Sequence, residues 1–347
     1  MTSLLEHVSL HRVAGTELRV VSDMDSSLGP FIEVETDVIE KYATSPRWQQ
    51  ETVTLFVLKD LEPLIRQLTQ EAALPPGGLA GLGERPIVNV YDLKNPGSCH
   101  VFVNQKAMEK EGYWGDREAE KGLLAHEHAH PLSECETTRS ARRLKMDLST
   151  DSLRPLFAAG AQEKEWPTKL NRLLEVIVDK LCLYAPREIF ANDLTIRTSF
   201  SASLLHLDRK NLRNAGEGVR SRGALQRSLH EEVEKEGLTP AGAELLLTVA
   251  DMKGYLDLAM ETAPFYRQNK AAEAQELEET LFAQVMPYLE PLVAKAYPKL
   301  RDAYVGLPED ASPEALKQWV KSLISMLAEG LSKKGVRREC RLSVVPE

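Results

Sequence analysis

The chain has 347 residues, with 43 Lys and Arg against 52 Asp and Glu, a net charge of −9, and 43% hydrophobic and 27% charged residues. This is the composition of a globular protein long enough for two domains. The acidic balance argues against a polyanion-binding surface, so no nucleic-acid partner is expected, and no apolar run approaches the roughly 18–20 residues of a membrane span.

Strand and helix signals mix up to about residue 110. Leu18 to Val21 and Phe31 to Val34 read as short strands on either side of the turn-rich stretch Asp23 to Pro30. Gln49 to Glu71 reads as a helix that stops before Pro75-Pro76-Gly77-Gly78. Pro86 to Asp92 alternates apolar and polar residues, Asn95 to Ser98 is a turn, and Cys99 to Asn104 reads as the returning strand of a hairpin. From about residue 116 nearly everything reads as helix. Leu153 to Tyr184 contains a strongly apolar helix, which Pro186 is expected to interrupt before another begins. The polar, glycine-containing stretch Asn211 to Arg222 predicts a connector. Thr239-Pro240 and Ser312-Pro313 predict helix starts, each an N-cap followed by proline, and Gly330 predicts a stop. Lys333 to Arg341 reads as a solvated basic tail. The fold class expected is α+β.

Four cysteines, Cys99, Cys135, Cys182 and Cys340, lie far apart with no CxxC pair. That pattern suits a reducing cytoplasm better than a disulfide framework or a Cys-zinc site. The first twenty residues lack the basic start and apolar core of a signal peptide, so a cytoplasmic location is expected.

Of the eight histidines, three fall within five residues, in the segment GLLAHEHAHPL over residues 122–132. His126-Glu127-His128-Ala129-His130 matches HExxH. On a helix, His126 and His130 project from one face and can offer imidazole nitrogens to one metal ion. Glu127, one step around, can serve as general base toward a water held by that metal. Two rival readings remain: an HxHxH site on a strand, and a metal-free surface cluster. The lead-in from Asp116 to Ala125 is a good helix former with acidic residues in its first turn, which favours the helix. Pro131 is expected to end it at His130, with Ser133 and Glu136 forming a capping box for a new helix. His128 points away from the His126/His130 face and is expected to be exposed.

Catalytic zinc sites carry three protein ligands and leave one position for water. Glu175 is the preferred third ligand, because the helix Leu170 to Leu183 is apolar nearly all round yet carries Glu175 and Asp179 four apart. Buried carboxylates need a cation or a hydrogen-bonded partner. Asp179 would then orient a ligand histidine. The bland alternative is a half-exposed carboxylate stripe paired with Lys180 or Arg172. Glu188, four residues before Asn192, is the competing third ligand, in less apolar surroundings.

HExxH followed by ExxxD on a second helix resembles the gluzincin zinc metallopeptidases, with the CAAX-peptidase-like branch and the minigluzincins nearest. The stretch PIVNVYDLKNPGSCHVFVNQKAM is similar to the two strands that precede the zinc helix in that family, so the resemblance covers about residues 86–195. It implies a zincin-like domain over 1–200, its zinc helix at about 116–130, followed by an α-helical domain of unassigned role over 201–347. It also implies Zn2+ held by His126, His130 and Glu175, Glu127 as general base, and hydrolysis of a peptide or protein substrate. An edge strand of the sheet pairs with extended substrate in that family. Tyr184, Arg197 and His206 are candidate donors to the carbonyl oxygen. The alternative is a catalytically inactive metal-binding or zincin-derived scaffold acting as a protein-interaction module. Oligomeric state is not legible.

Overall fold

The computed structural model describes residues 7–24, 28–71, 82–148, 165–235, 238–336 and 340–345. The turn expected at 75–78, the start of the helix expected from Leu153, and residues 337–339 of the basic tail lie outside them. The chain divides into two compact units, residues 1–133 with 194–211, and residues 134–193 with 212–347.

The first unit is built on strands β1 (His7–Val13), β2 (Thr16–Ser22), β3 (Thr52–Leu58), β4 (Ile87–Tyr91) and β5 (Ser98–Asn104), in the order β1-β2-β3-β5-β4. β1 and β2 form an antiparallel hairpin, β2, β3 and β5 run parallel, and β4 returns antiparallel to β5 at the edge. The hairpin expected from the sequence is the β4–β5 pair. One face of the sheet is fully buried through Leu18, Val20, Val53, Leu55, Val57, Val101 and Val103.

Helix α1 (Gly29–Tyr42) takes in Phe31 to Val34, which the sequence suggested was a strand. Pro30 sits in its first turn, and Phe31, Val34, Val38, Ile39 and Tyr42 recur at helical spacing along its buried face. The longer period prevails over the β-propensity of a four-residue run. The helix expected over Gln49 to Glu71 is also corrected. Thr52 to Leu58, TVTLFVL, is rich in β-branched residues and forms the central strand, and only α2 (Glu62–Glu71) is helical. A short helix α3 (Gln105–Lys110) follows β5.

Helix α4 (Arg117–Leu132) carries the histidine segment. Asp116 caps it by accepting the Ala119 N–H at 3.2 Å. Gly122 permits close packing, because a Cβ there would lie 2.7 Å from the Ser203 carbonyl oxygen. The helix does not stop at His130 but runs through Pro131, and Ser133 closes it. Proline cannot supply the N–H that the Glu127 carbonyl would accept. The Asn89 side-chain amide on β4 donates to that carbonyl instead, at 3.0 Å.

The second unit contains α5 (Glu136–Arg142), β6 (Leu144–Leu148) and α6 (Glu165–Val178). A π-helical stretch, Asp179–Tyr184, leads into α7 (Ala185–Thr195), and another, Ile196–Phe200, leads into α8 (Ser201–Glu234). Pro186 therefore does not break the run; the wider turns just before it accommodate a missing N–H. The capping box expected at Ser133 and Glu136 is displaced by two residues, with the Cys135 N–H donating to the Thr138 hydroxyl at 2.9 Å. The connector expected over Asn211 to Arg222 is continuous α8 helix, and Arg222 bonds Asp251 through two contacts of 3.0 Å.

The unit continues with α9 (Pro240–Tyr255), α10 (Ala259–Arg267), α11 (Ala271–Gln284), α12 (Pro291–Val305), α13 (Pro313–Ser332) and β7 (Cys340–Val344), which pairs antiparallel with β6. Thr239 and Ser312 cap α9 and α13 as expected. Gly330 does not stop α13. It lies inside the helix against Leu292, whose Cδ1 would be 2.4 Å from an added Cβ. In the basic tail, Lys334 is bonded to Glu244 and Glu290 rather than left to solvent. Among the described residues no helix is long and apolar enough to cross a membrane.

Asp116 also accepts from His206 at 2.9 Å and Lys210 at 2.5 Å. Partial burial raises the Asp116 carboxyl, but Lys210, His206 and the Ala119 N–H outweigh it and hold it well below the usual carboxylate range. Asp116→Ala is expected to lower unfolding free energy by about 1–2 kcal/mol, the range of an N-cap loss. Because the folded pKa is depressed, the contribution is present above the ordinary carboxylate pKa and lost as pH falls through the folded one. Urea melts at pH 7 and pH 3 should therefore show a smaller wild-type advantage at the lower pH.

Candidate metal centre

On α4, His126 and His130 sit one turn apart with ring centroids 4.6 Å from each other and planes at 81°. His130 is buried and His126 and Glu127 are half-buried. The Glu127 carboxylate is oriented from the sheet, its Oε2 accepting the Asn89 backbone N–H at 3.2 Å. One residue of β4 thus holds both the carbonyl and the carboxylate of Glu127.

One nitrogen from each of His126 and His130 and a carboxylate oxygen of Glu188 lie within 4.8 Å of one another. Glu188 is on the first turn of α7, the helix that runs on to Leu194 and Thr195 of the sheet-bearing unit. Two imidazoles and one carboxylate form a ligand set suited to a divalent ion. Tetrahedral zinc with bonds near 2.1 Å needs donor separations of about 3.4 Å, a small side-chain adjustment from this spacing. A metal ion could be held here. Glu175, the preferred third ligand in the sequence, is not in this group. It lies exposed on α6, as does Asp179 at the start of the π-helical stretch, and neighbouring Val176 is 41% exposed. The apolar composition of that helix does not enclose its carboxylate stripe. Asn192, four residues after Glu188, donates to the Met260 carbonyl at 3.3 Å. Its neighbour Asp193 is bonded to Arg267 at 2.8 Å, which anchors α7 to the helical unit.

The expected donors fall in different places. His206 is bound to Asp116, which precedes His126 by ten residues, about 15 Å along a helix, and is removed from the metal-binding group. The Arg187 guanidinium lies over the Tyr184 ring at 5.3 Å, and Arg197 is exposed.

His128 reverses its expectation. It is wholly buried on the other side of α4, with Nε2 2.8 Å from Oε1 of the equally buried Glu35. The Trp48 ring packs 5.7 Å from the imidazole. Burial opposes the charge, yet Glu35 and the Cys99 side chain together outweigh it and push His128 up to about 10. On α8, burial raises the Asp208 carboxyl well above the usual range while neighbouring His126 pulls it down. Asn89, Glu35 and Asp208 were not singled out in the sequence. Only Asn89, a polar residue at an apolar position in the alternating β4 strand, left a local signal.

No protein-family model, curated protein or solved structure matches the chain.

A buried ion pair is costly to halve and cheap to replace whole. His128→Leu or Glu35→Leu alone should destabilise the protein by about 3–5 kcal/mol. The double substitution should recover most of that loss in chemical denaturation, giving a large coupling energy. Additive single effects would refute the pairing.

Proposed function

We propose that this protein is a zinc-dependent peptidase whose metal is held by His126, His130 and Glu188. The observation that carries the reading is the convergence of these three donors within 4.8 Å, beside a glutamate at the second position of HExxH. Glu188 replaces Glu175 as the third ligand. A divalent ion in that position supplies a Lewis acid and an acidified water.

Glu127 is the chain's own proton acceptor. The Asn89 N–H at Oε2 fixes the carboxylate plane. The half-buried carboxylate takes a proton from the attacking water and returns it to the leaving amine. Its position on the helix carrying both histidines sets the distance between acceptor and ligands without a separate positioning element. The substrate class is a peptide or protein, as the gluzincin resemblance implies.

The test starts with metal analysis of protein purified without added zinc. About one equivalent should accompany wild type, Glu127→Gln and Glu175→Gln, and should be lost from His126→Ala and Glu188→Gln. Wild type should cleave a peptide library, and Glu127→Gln should be slower by about 100-fold or more, the usual scale for removing a general base. Absence of stoichiometric metal from wild type overturns the whole reading. Metal without cleavage overturns the peptidase and leaves a metal-binding scaffold.

A further inference from the structure

Helix α8 packs against α4 at Gly122, where an added Cβ would lie 2.7 Å from the Ser203 carbonyl oxygen and 3.2 Å from Leu207 Cβ. From one flank of α8, His206 and Lys210 reach Asp116 at the N-cap of α4. Two residues turn a helix by about 200°, so Asp208 leaves α8 on the other flank. There it is 2% exposed, and His126 is the ionisable group that acts on it. Its Oδ2 has no hydrogen-bond partner among the described residues. The other buried carboxylates each have a bonded partner: His128 for Glu35, the Gly115 N–H for Glu120, Arg267 for Asp193 and Arg222 for Asp251. A buried carboxylate without one is costly, and in a native fold it calls for a function that uses it.

We propose that Asp208 is a positioning residue of the metal centre, its carboxylate accepting the ring N–H of His126 from the nitrogen turned away from the metal. The role rests on that centre, which Asp208 serves without joining it: no Asp208 oxygen belongs to the group of donors within 4.8 Å of one another. An imidazole that binds a metal through one nitrogen carries its proton on the other, and that N–H needs an acceptor. A carboxylate behind it fixes the tautomer and the rotation of the ring, and raises the basicity of the ligating nitrogen. The same bond gives the buried carboxylate the partner it lacks.

Asp179, the residue expected to orient a ligand histidine, is exposed at the end of α6. Asp208 instead shares the sheet-bearing unit with His126. Its stretch of α8 is held on both sides, the Ser203 hydroxyl donating to Glu118 at 2.6 Å and the Tyr113 hydroxyl donating to Asn211 at 2.5 Å. The carboxylate is therefore in place before a metal ion arrives, which lowers the ordering cost of filling the site.

Zinc competition against a chromophoric chelator tests the role on the full chain, with urea unfolding of the metal-free protein beside it. Asp208→Leu should bind one equivalent of Zn2+ about 10- to 100-fold more weakly than wild type, the usual loss when the partner behind a ligand is removed. Asp208→Asn, which keeps an acceptor oxygen without the charge, should fall between the two. Being nearly isosteric, it carries the test alone if the leucine variant does not fold. Metal-free, the variants should be at least as stable as wild type, because each removes a buried carboxylate that lacks a bonded partner. At saturating Co2+ the visible bands of Asp208→Asn should shift from those of wild type, since the ligating nitrogen of His126 has changed basicity. Unchanged zinc affinity and cobalt bands overturn the proposal and leave the metal centre standing. So does a weaker affinity matched by an equal loss of metal-free stability, the mark of a merely structural residue. Wild type that takes up no Zn2+ overturns the metal centre and, with it, the role of Asp208.

Discussion

A proline immediately after the last histidine of α4 should end that helix, and the protein avoids this through one asparagine. Pro131 leaves the Glu127 carbonyl without its helical donor, and Asn89 provides a replacement from the sheet edge. Because the Asn89 backbone N–H also binds the Glu127 carboxylate, the helix is joined to β4 through both the main chain and the side chain of one residue. A buried carbonyl left without a donor would cost about 1–3 kcal/mol, comparable to a substantial share of a domain's net stability. The histidine face of α4 depends on this contact for its last turn.

The opposite side of the same helix is fixed by different means. Tyr42 donates to the Ala125 carbonyl at 2.8 Å, and burial pushes its hydroxyl up to about 12 while Thr195 and Thr198 draw it down. The His128–Glu35 pair adds a charged contact in a place that apolar residues would fill more cheaply. Such a pair tolerates neither rotation of α4 by one residue nor sliding by one turn, since either would strand a charge in the core. His126 and His130 are thereby confined to one direction.

Much of this was legible in the sequence, and the failures have physical causes. The hairpin of β4 and β5, the histidine-bearing helix α4 and the two proline-capped helices followed from local signals that tertiary packing did not override. β3 was misread because its β-branched run was merged with the helical pattern that begins at Glu62. Asn211 to Arg222 looked like a connector because its polarity was taken for solvent exposure, whereas Arg222 is spent on Asp251. The choice of Glu175 over Glu188 rested on the apolar character of neighbouring residues. Composition around a carboxylate does not reveal which helix face is covered, and Pro186 obscured the continuity that carries α7 onward. His128 shows the same limit: helical geometry correctly turned it away from the His126/His130 face, but the far side of α4 is core.

The two units are interleaved along the chain, and this has a consequence for how the protein can be taken apart. The sheet-bearing unit needs residues 194–211, which arrive only after residues 134–193 of the other unit. Cutting after Ser133 removes Thr195 from Tyr42, Ser203 from Gly122, and both His206 and Lys210 from Asp116. No single truncation yields either half intact. During synthesis the sheet and α4 lack residues 194–211 until residues 134–193 of the other unit have been made, and the sheet-bearing unit is complete while most of the helical unit is still to come.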